Sequence, residues 1–238
     1  MTGPLAPSTP GLLDRTFLTN VPDVVELMLV RHGQQERAPG RGRAATEPRD
    51  PPLSETGREQ ADLVGAGLAG RRLDAVYCST LQRAADTARA IAGHHDLAPV
   101  VHEEFREVEV FRDVPDGKTI TDVASKLLLR GANRRFAGER RWDVFPFSET
   151  GAELRARVVS GVEGILAGHG PGRVAVVCHG GVINSYLAHV LGLDVDMFFH
   201  PAHASVSRVL AQDGRRVVHT MNETHHLTRN GDDGLVTY

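Results

Sequence analysis

The chain has 238 residues, enough for one large α/β domain or two small ones, and its hydrophobic fraction of 41% allows a sizeable core. A formal net charge of -3 excludes the basic excess typical of proteins that bind nucleic acids or membrane surfaces. No apolar run approaches the ~20 residues of a membrane helix, so we expect a cytoplasmic protein without nucleic-acid or membrane partners.

The first predicted strand ends in residues suited to binding an anion. Residues 1–22 before it are expected to form a flexible or loosely packed lead-in without the features of a signal peptide. Val24–Val30 is an apolar run rich in β-branched residues, which predicts a buried strand. It leads directly into Arg31, His32 and Gly33. Because ligands bind at the carboxyl ends of strands in open α/β sheets, this tripeptide indicates an anion site.

A long loop and a helix follow this strand. Gln34–Pro52 is rich in Arg, Gly and Pro, which predicts a loop near the site. Ser54 can cap the next helix, with Thr56 as a competing cap that would place Glu59 in a capping box. We expect this helix to end near Ala69.

The next predicted unit repeats the strand-helix order. Leu73–Cys78 is expected to form a strand, and Ser79 or Thr80 to cap a helix whose apolar residues recur at helical spacing from Leu81 to Ile91. Val100-Val101 indicates a further short strand. The two cysteines, Cys78 and Cys178, end predicted buried strands, and we interpret them as small core residues rather than redox groups.

The region between residues 104 and 150 is irregular and highly charged, and we interpret it as an insertion that covers the site. Ala152–Leu166 has the apolar spacing of an amphipathic helix. Asp213-Gly214 lies between two apolar-alternating segments, which predicts a β-hairpin. The polar tail, residues 225–238, is expected to be exposed. We expect residues 1–238 to form a single domain.

A second strand ends much as the first does. Val174–Cys178 leads into His179, Gly180 and Gly181, and a helix from about Val182 is ended by Gly192. Strands that alternate with helices predict an α/β fold of three layers, α/β/α, with a mostly parallel sheet and helices on both faces. Two buried strands that each end in His-Gly are difficult to explain by packing alone.

If these strands are neighbours, four cationic or imidazole groups converge. His32, His179 and Arg31 come from strand ends, and Arg83 from the first turn of the helix after Cys78. Guanidinium groups match phosphate oxygens, and helix N-termini add favourable dipoles. The pattern favours a site for a tetrahedral phosphoryl group. No metal-ligand spacing is present, and we expect no metal or other cofactor.

The ordered motifs between about Glu26 and Leu210 resemble those of the histidine phosphatase superfamily, which contains cofactor-dependent phosphoglycerate mutases and many phosphatases. The motifs are Leu29-Val30-Arg31-His32-Gly33, Pro52-Leu53-Ser54-Glu55-Thr56-Gly57-Arg58-Glu59-Gln60-Ala61, Cys78-Ser79-Thr80-Leu81-Gln82-Arg83-Ala84 and Val177-Cys178-His179-Gly180-Gly181-Val182-Ile183. The resemblance implies a phosphoglycerate mutase-like fold.

The resemblance also implies roles for individual residues. His32 would be the nucleophile that forms a phosphohistidine, while Arg31, Arg83 and His179 would hold the phosphoryl group. Phe105-Arg106-Glu107 matches the family's pattern around the acid that protonates the leaving oxygen, so Glu107 is assigned that role ahead of Glu104 and Glu109. Neighbouring arginines would keep His32 neutral. Guanidinium groups would replace a metal.

The sequence departs from the family pattern at two places. Gln34 fits, but Gln35 stands at a Ser/Thr position and Ala38 at the usual Asn position, so we hypothesise that Gln35 binds phosphate through its amide. Glu149-Thr150 matches a Gly-Glu-Ser signature approximately, and its contact with substrate is left open.

Four arginines of the insertion have two interpretations. Together with Trp142, Phe145 and Phe147 they could form a basic, aromatic lid over the substrate, or they could lie on a solvated helix face beside a small local core. The sequence does not decide between these alternatives for Arg134, Arg135, Arg140 and Arg141.

Three functions remain open at this point. The first is a phosphatase that hydrolyses a small phosphorylated metabolite through phosphorylated His32. The second is phosphoryl transfer of the phosphoglycerate mutase type, although the mutase tract after the acid is absent from Glu107–Phe111. The third is a non-catalytic protein that binds a phosphorylated ligand. A homo-oligomer is possible, because family members often self-associate.

Overall fold

The computed structural model describes residues 9–36, 50–228 and 234–238, which form six strands and seven α-helices. The strands are β1 (Val25–Arg31), β2 (Ala75–Ser79), β3 (Val100–His102), β4 (Gly172–Cys178), β5 (Val206–Gln212) and β6 (Arg215–Glu223). The helices are α1 (Leu12–Phe17), α2 (Glu55–Leu68), α3 (Gln82–Ala92), α4 (Ile120–Val123), α5 (Lys126–Glu139), α6 (Gly151–Gly168) and α7 (Gly180–Leu191). None of the helices in these ranges is long and apolar enough to span a membrane.

The six strands form one sheet in the order β3-β2-β4-β1-β5-β6. Neighbours from β3 to β1 are parallel, whereas β5 is antiparallel to both β1 and β6. One core lies between the sheet and α6 and α7, and a second core lies between the sheet and α2 and α3. This confirms the three-layer α/β/α fold with a mostly parallel sheet, to which the β5-β6 hairpin adds an antiparallel edge.

The central parts of β1 and β4 are apolar, as expected of strands with both faces covered by helices. Leu27–Val30 of β1 is fully buried, with the side chains alternating between the two cores. Val174–Cys178 of β4 is buried in the same way. Cys78 and Cys178 are free and buried, as expected of small core residues.

The helix caps show which start signals the fold uses. Ser54 caps α2 by accepting a hydrogen bond from the backbone N–H of Gly57 at 3.0 Å, so Ser54 and not Thr56 is the cap. Gly192 ends α7 in the left-handed conformation, with φ of 66°, as predicted. The turn at Asp213-Gly214 also has positive φ at both residues, which confirms the predicted hairpin.

The predicted cap of α3 is wrong. The helix begins at Gln82, after Leu81, rather than after Ser79 or Thr80. The carboxylate of Asp50 accepts from the Gln82 N–H at 2.9 and 3.0 Å and takes the place of a local cap. The Ser79 hydroxyl is used elsewhere, as described below.

The two terminal regions are more ordered than the sequence suggests. In the lead-in, α1 is followed by the buried Leu18, and residues 1–8 lie outside the described residues. The expectation of an exposed tail is wrong for Leu227, which is fully buried, and for Leu235 and Val236, which pack against the second core. Gln60 helps to hold residues 235 and 236 against this core, since its Nε2 donates to the Leu235 carbonyl at 2.7 Å.

Candidate active site

The strand order brings the two predicted histidines together. Because β4 pairs directly with β1, Arg31 lies opposite Cys178 in the register, and the next residue of each strand is a histidine. The backbone N–H of His32 donates to the Cys178 carbonyl at 3.0 Å. The rings of His32 and His179 are 5.0 Å apart between centroids, so two distant parts of the chain meet at one point.

Arg83 connects the two imidazoles. It lies in the first turn of α3, as predicted, and is only 8% exposed. Its Nε donates to His32 Nε2 at 3.2 Å, and its Nη2 lies 3.3 Å from His179 Nδ1. Asp50 lies on the outer side of the same guanidinium, 3.7 Å from Nη1. A fixed cation with donors towards both rings is a suitable seat for an anion.

The hydrogen bonds determine the tautomer of each ring. His32 Nδ1 lies 2.7 Å from the Gly33 carbonyl, which can only accept, so Nδ1 carries the proton and Nε2 keeps its lone pair. For His179 the assignment is reversed: Nδ1 faces the donating Arg83, and Nε2 donates to the Ser79 hydroxyl at 2.8 Å. His32 Nε2 is therefore the ring nitrogen that keeps a lone pair, and this lone pair accepts the hydrogen bond from Arg83 Nε.

Electrostatics keeps both rings neutral. Burial, followed by the neighbouring His179 ring and then Arg83 and Arg31, holds the pKa of His32 well below its usual value of 6.5. Burial, and then the same two arginines, lowers the pKa of His179 in the same direction. An imidazole that cannot accept a proton at neutral pH retains the lone pair that nucleophilic attack requires.

Arg31 has an unused donor at this site. Its Nη1 donates to the Pro201 carbonyl, which fixes the direction of the side chain. Its Nε is buried and has no hydrogen-bond partner among the described residues. Burial lowers the pKa of Arg31 to about 10, so the group still carries its charge at neutral pH. A buried cationic N–H without a partner among these residues is available to donate to an anion bound at the site.

Glu107 lies over the N-terminus of α7. Its carboxylate accepts from the Gly181 N–H at 3.3 Å and from the Val108 N–H at 2.9 Å. A Cβ on Gly181 would lie 2.4 Å from Glu107 Oε1, so a larger residue there would push the carboxylate away from its present position. Burial lowers the pKa of Arg31 and Arg83, and the charge of Glu107 opposes that shift. The structure thus places the predicted acid beside the cationic groups.

Gln35 lies near the site through its backbone, without a side-chain hydrogen bond to the other predicted site residues that the structure describes. Its backbone forms an isolated bridge with Leu53, and its side-chain Oε1 is buried without a hydrogen-bond partner among the described residues. The bridge keeps Gln35 close to the strand end, two residues after Gly33. Its role in binding phosphate remains a prediction. Ala38, together with the rest of residues 37–49, lies outside the described residues.

Two contributors escaped the sequence reasoning. Ser79 was interpreted as a helix cap, although its hydroxyl binds His179. His203 is 3% exposed, and its ring centroid lies 5.7 Å from that of His32. It precedes β5, whose antiparallel pairing with β1 brings its start to the active edge of the sheet. Predicting that pairing would have revealed His203, since Pro201-Ala202-His203 then lies beside Arg31.

The insertion contains a small aromatic core. Phe136 packs on Trp142 and on Phe145 at ring-centroid distances of 4.7 and 5.4 Å. Two of the four undecided arginines are paired with acids, which favours the solvated-face interpretation for them: Arg135 binds Glu139 at 2.7 Å and Arg141 binds Asp194 at 2.7 Å. Trp142 nevertheless adjoins the site, since its Cζ2 is 3.7 Å from where a Cβ on Gly181 would lie.

Glu149 and Thr150 both form hydrogen bonds with other residues of the chain. Thr150 caps α6 and forms a capping box with Glu153. Glu149 is 3% exposed and binds Arg157 through both carboxylate oxygens. No group of three or more His, Cys, Asp or Glu side chains that could hold a metal occurs among the described residues.

Comparison with known proteins identifies relatives of this site and fold. The sequence profile of the histidine phosphatase superfamily (branch 1) matches residues 27–224. Phosphoserine phosphatase 1 of Hydrogenobacter thermophilus is 31% identical over 207 residues, covering 86% of this chain and 95% of that protein.

Solved structures of two bacterial proteins have a similar fold. YhfR of Bacillus stearothermophilus aligns with a TM-score of 0.69 at 25% identity, covering 86% of this chain and all of that one. A phosphoglycerate mutase from Bacillus anthracis aligns with a TM-score of 0.67 at 23% identity, covering 86% of this chain and 96% of that one. The second likeness concerns the fold alone and confirms that it is phosphoglycerate mutase-like.

Proposed function

This chain belongs to the histidine phosphatase superfamily, and on that premise we propose that it is a metal-independent phosphatase acting on a small phosphomonoester. The observation that carries the proposal is the neutral His32, whose Nε2 lone pair faces a buried guanidinium and a second imidazole. Packing alone does not require such an arrangement, whereas nucleophilic attack on a phosphoryl group does.

The substrate's phosphoryl oxygens would occupy the space between the cationic groups. The unpartnered Nε of Arg31 would donate to those oxygens. Arg83, whose Nε and Nη2 contact His32 and His179, would transfer these hydrogen bonds to the phosphoryl oxygens on substrate binding, which frees the lone pair of His32. The backbone dipoles at the N-terminus of α7 would add further positive potential. The cationic groups would neutralise the negative charge of the phosphoryl oxygens, which would otherwise repel the attacking lone pair of His32. Positioning and electrostatic stabilisation account for most of the catalysis in phosphoryl transfer.

The first chemical step forms a bond between His32 Nε2 and phosphorus while the bond from phosphorus to the leaving oxygen breaks. Glu107, in its protonated form, gives its proton to that oxygen, which departs as an alcohol. In the second step a water oxygen attacks phosphorus and gives a proton to the Glu107 carboxylate. The bond from phosphorus to His32 breaks, and phosphate is released with the starting enzyme.

The name of one relative supplies the first candidate substrate. Phosphoserine phosphatase 1 covers most of this chain, so phosphoserine is the first substrate to test. Glu107 and Trp142 both lie beside Gly181, at the start of α7, where they would adjoin the leaving group of such a substrate. Mutase-type transfer and binding without turnover remain the alternatives to hydrolysis.

A panel assay with one matched control tests the proposal. The protein is incubated with phosphoserine, 3-phosphoglycerate and other phosphomonoesters, in EDTA, and free phosphate is measured. We expect His32→Ala to lower phosphate release by about 10³-fold or more, because it removes the nucleophile. His219→Ala, which changes an exposed histidine on β6, should have no effect.

The other outcomes identify the alternatives. Isomerisation of a phosphoglycerate without release of phosphate would establish a mutase. Binding of a phosphomonoester that wild type never turns over would establish a ligand-binding protein. Either result would refute the phosphatase proposal.

A further inference from the structure

The segment that carries Glu107 is anchored to α6 by a partly buried ion pair. Arg157 of α6 binds Glu149 in a two-point contact, with Nε 2.6 Å from Oε1 and Nη2 2.8 Å from Oε2. The Glu149 side chain is 3% exposed and that of Arg157 is 23% exposed, so the carboxylate is buried beneath a guanidinium that reaches the surface. Planar, two-point pairing of this kind fixes direction as well as distance.

The remaining donors of Arg157 bind the backbone on either side of the predicted acid. Nη1 donates to the carbonyls of Glu104 and Arg106, each at 2.7 Å, and Nη2 donates to the carbonyl of Glu107 at 3.3 Å. With the two bonds to Glu149, all five N–H groups of the guanidinium are used. Lysine has three donors and no planar fork, so it cannot reproduce this set.

Glu149 holds the same segment from its other end. Its Oε2 accepts from the Glu109 N–H at 3.1 Å, and its own N–H donates to the Glu109 carbonyl at 3.1 Å. Residues 106–109 belong to no helix or strand. The Arg157–Glu149 pair therefore supplies hydrogen bonds that regular secondary structure would otherwise provide.

We propose that Arg157 and Glu149 are positioning residues, which hold residues 104–109 so that the Glu107 carboxyl lies over the N-terminus of α7, in line with the leaving oxygen. This inference rests on the proposed role of Glu107 as the acid. Neither residue touches the reacting atoms. A loosened segment would leave the nucleophile intact but misplace the proton donor.

The leaving group provides the readout. An alkyl phosphate such as phosphoserine needs a proton on its departing oxygen, whereas nitrophenyl phosphate releases a stable anion without one. Arg157→Lys keeps the positive charge near His179 and removes the fork. We expect kcat/KM for the alkyl substrate to fall by about 10-fold or more, within the range general acids contribute, with nitrophenyl phosphate almost unaffected. Glu149→Gln should give the same selective loss if Arg157→Lys does not fold.

Two controls separate this effect from damage to the fold. Arg112→Lys alters an exposed arginine whose side chain binds Asp113 and Glu153, and it leaves the backbone bond from Arg112 to Glu109 in place. It should leave the turnover of both substrates unaffected. In a Glu107→Gln background, Arg157→Lys should cause no further loss on the alkyl substrate, because the two residues act through one proton transfer.

Each contrary result has a distinct meaning. Equal losses on both substrates in Arg157→Lys, while Glu107→Gln is selective, would show a merely structural role and overturn this inference alone. A Glu107→Gln variant without leaving-group selectivity would refute the proposed acid and, with it, the inference.

Discussion

Three buried imidazoles lie within one neighbourhood, and each is neutral for a physical reason. Burial and nearby charges hold the pKa of His32 and His179 well below 6.5, and burial lowers that of His203 to about 3. The lone pair that the proposed mechanism uses on His32 is thus maintained at the expense of acid stability. Stability and the proposed catalysis depend on the same desolvated site.

The first prediction concerns the pH dependence of stability. In the unfolded chain a histidine binds a proton below about pH 6.5, but these three folded groups do not, so the unfolded state binds more protons there. The free energy of unfolding should therefore fall as the pH drops from 6.5 towards 5, by up to about 1.4 kcal/mol per pH unit for each group. Thermal midpoints at pH 7.5 and 5.0 measure this.

His203→Asn provides the comparison for that experiment. It removes one of the three groups, so its thermal midpoint should decline less between the two pH values than that of wild type. Equal midpoints for wild type at pH 7.5 and 5.0 would show that the histidines are not held neutral by the fold.

Local motifs predicted some residues and missed others. His32, His179 and Arg83 follow strand ends or open a helix, so local motifs predict that they converge once their strands are taken as neighbours in one sheet. The contacts of Ser79 and Arg157 depend on which strands and helices become neighbours, which local patterns do not encode. Ser79 was assigned to a helix start that Asp50, distant in sequence, in fact caps.

At the scale of elements, two glycines allow α2 to approach the loop after β1. A Cβ on Gly57 would lie 1.9 Å from the Gln34 carbonyl oxygen, and a Cβ on Gly33 would lie 2.3 Å from the Gly57 carbonyl oxygen. Both contacts are with backbone atoms, which cannot move aside as a flexible side chain can. The helix thereby supports the loop that follows His32.

Gly57→Ala should consequently damage both stability and activity. The added methyl group must displace the backbone joined to His32, so we expect a loss of roughly 1–3 kcal/mol in the free energy of unfolding, as for overpacked cores, and a lower kcat. Gly131→Ala on α5 is the matched control, because nothing lies within 4 Å of its Cβ. That control should stabilise the protein by about 0.5–1 kcal/mol. Denaturant unfolding and the phosphate assay measure both variants.

At the scale of the whole molecule, the C-terminal residues are connected to the catalytic edge. Thr237 Oγ1 lies 2.9 Å from His203 Nδ1 and accepts from Gln60 Nε2 at 2.9 Å. Gln60 is fully buried, and its Oε1 accepts from the Gln34 N–H at 2.8 Å. The tail thus contacts His203, which lies beside the His32 ring, and Gln60, which binds the loop after His32.

Removal of residues 234–238 should therefore reduce stability and activity together. It leaves buried donors of Gln60 without acceptors, and each such group costs about 1–3 kcal/mol. Removal of Tyr238 alone, which is 60% exposed, leaves Thr237 in place and should have little effect. If the longer truncation unfolds at the same temperature as wild type and turns over at the same rate, the tail has no such role.

Periodicity was sufficient for β1, β2, β4, α2, α3, α6 and α7, because their apolar residues recur at the spacing of a strand or a helix. It did not predict α5, which lies in the region interpreted as irregular. The antiparallel hairpin was predicted from Asp213-Gly214, but its place beside β1 was not. The docked tail was missed for a related reason: Leu235 and Val236 form too short an apolar stretch to indicate burial without the surface that receives them.

The most direct test of the central claim is to trap the phosphoryl group on the enzyme. A radiolabelled phosphomonoester is mixed with the protein for milliseconds and quenched in base, where phosphohistidine survives, and the labelled site is identified by mass spectrometry. The account predicts label on His32 in wild type and none in His32→Ala. Label on another residue, or full turnover by His32→Ala, would contradict it.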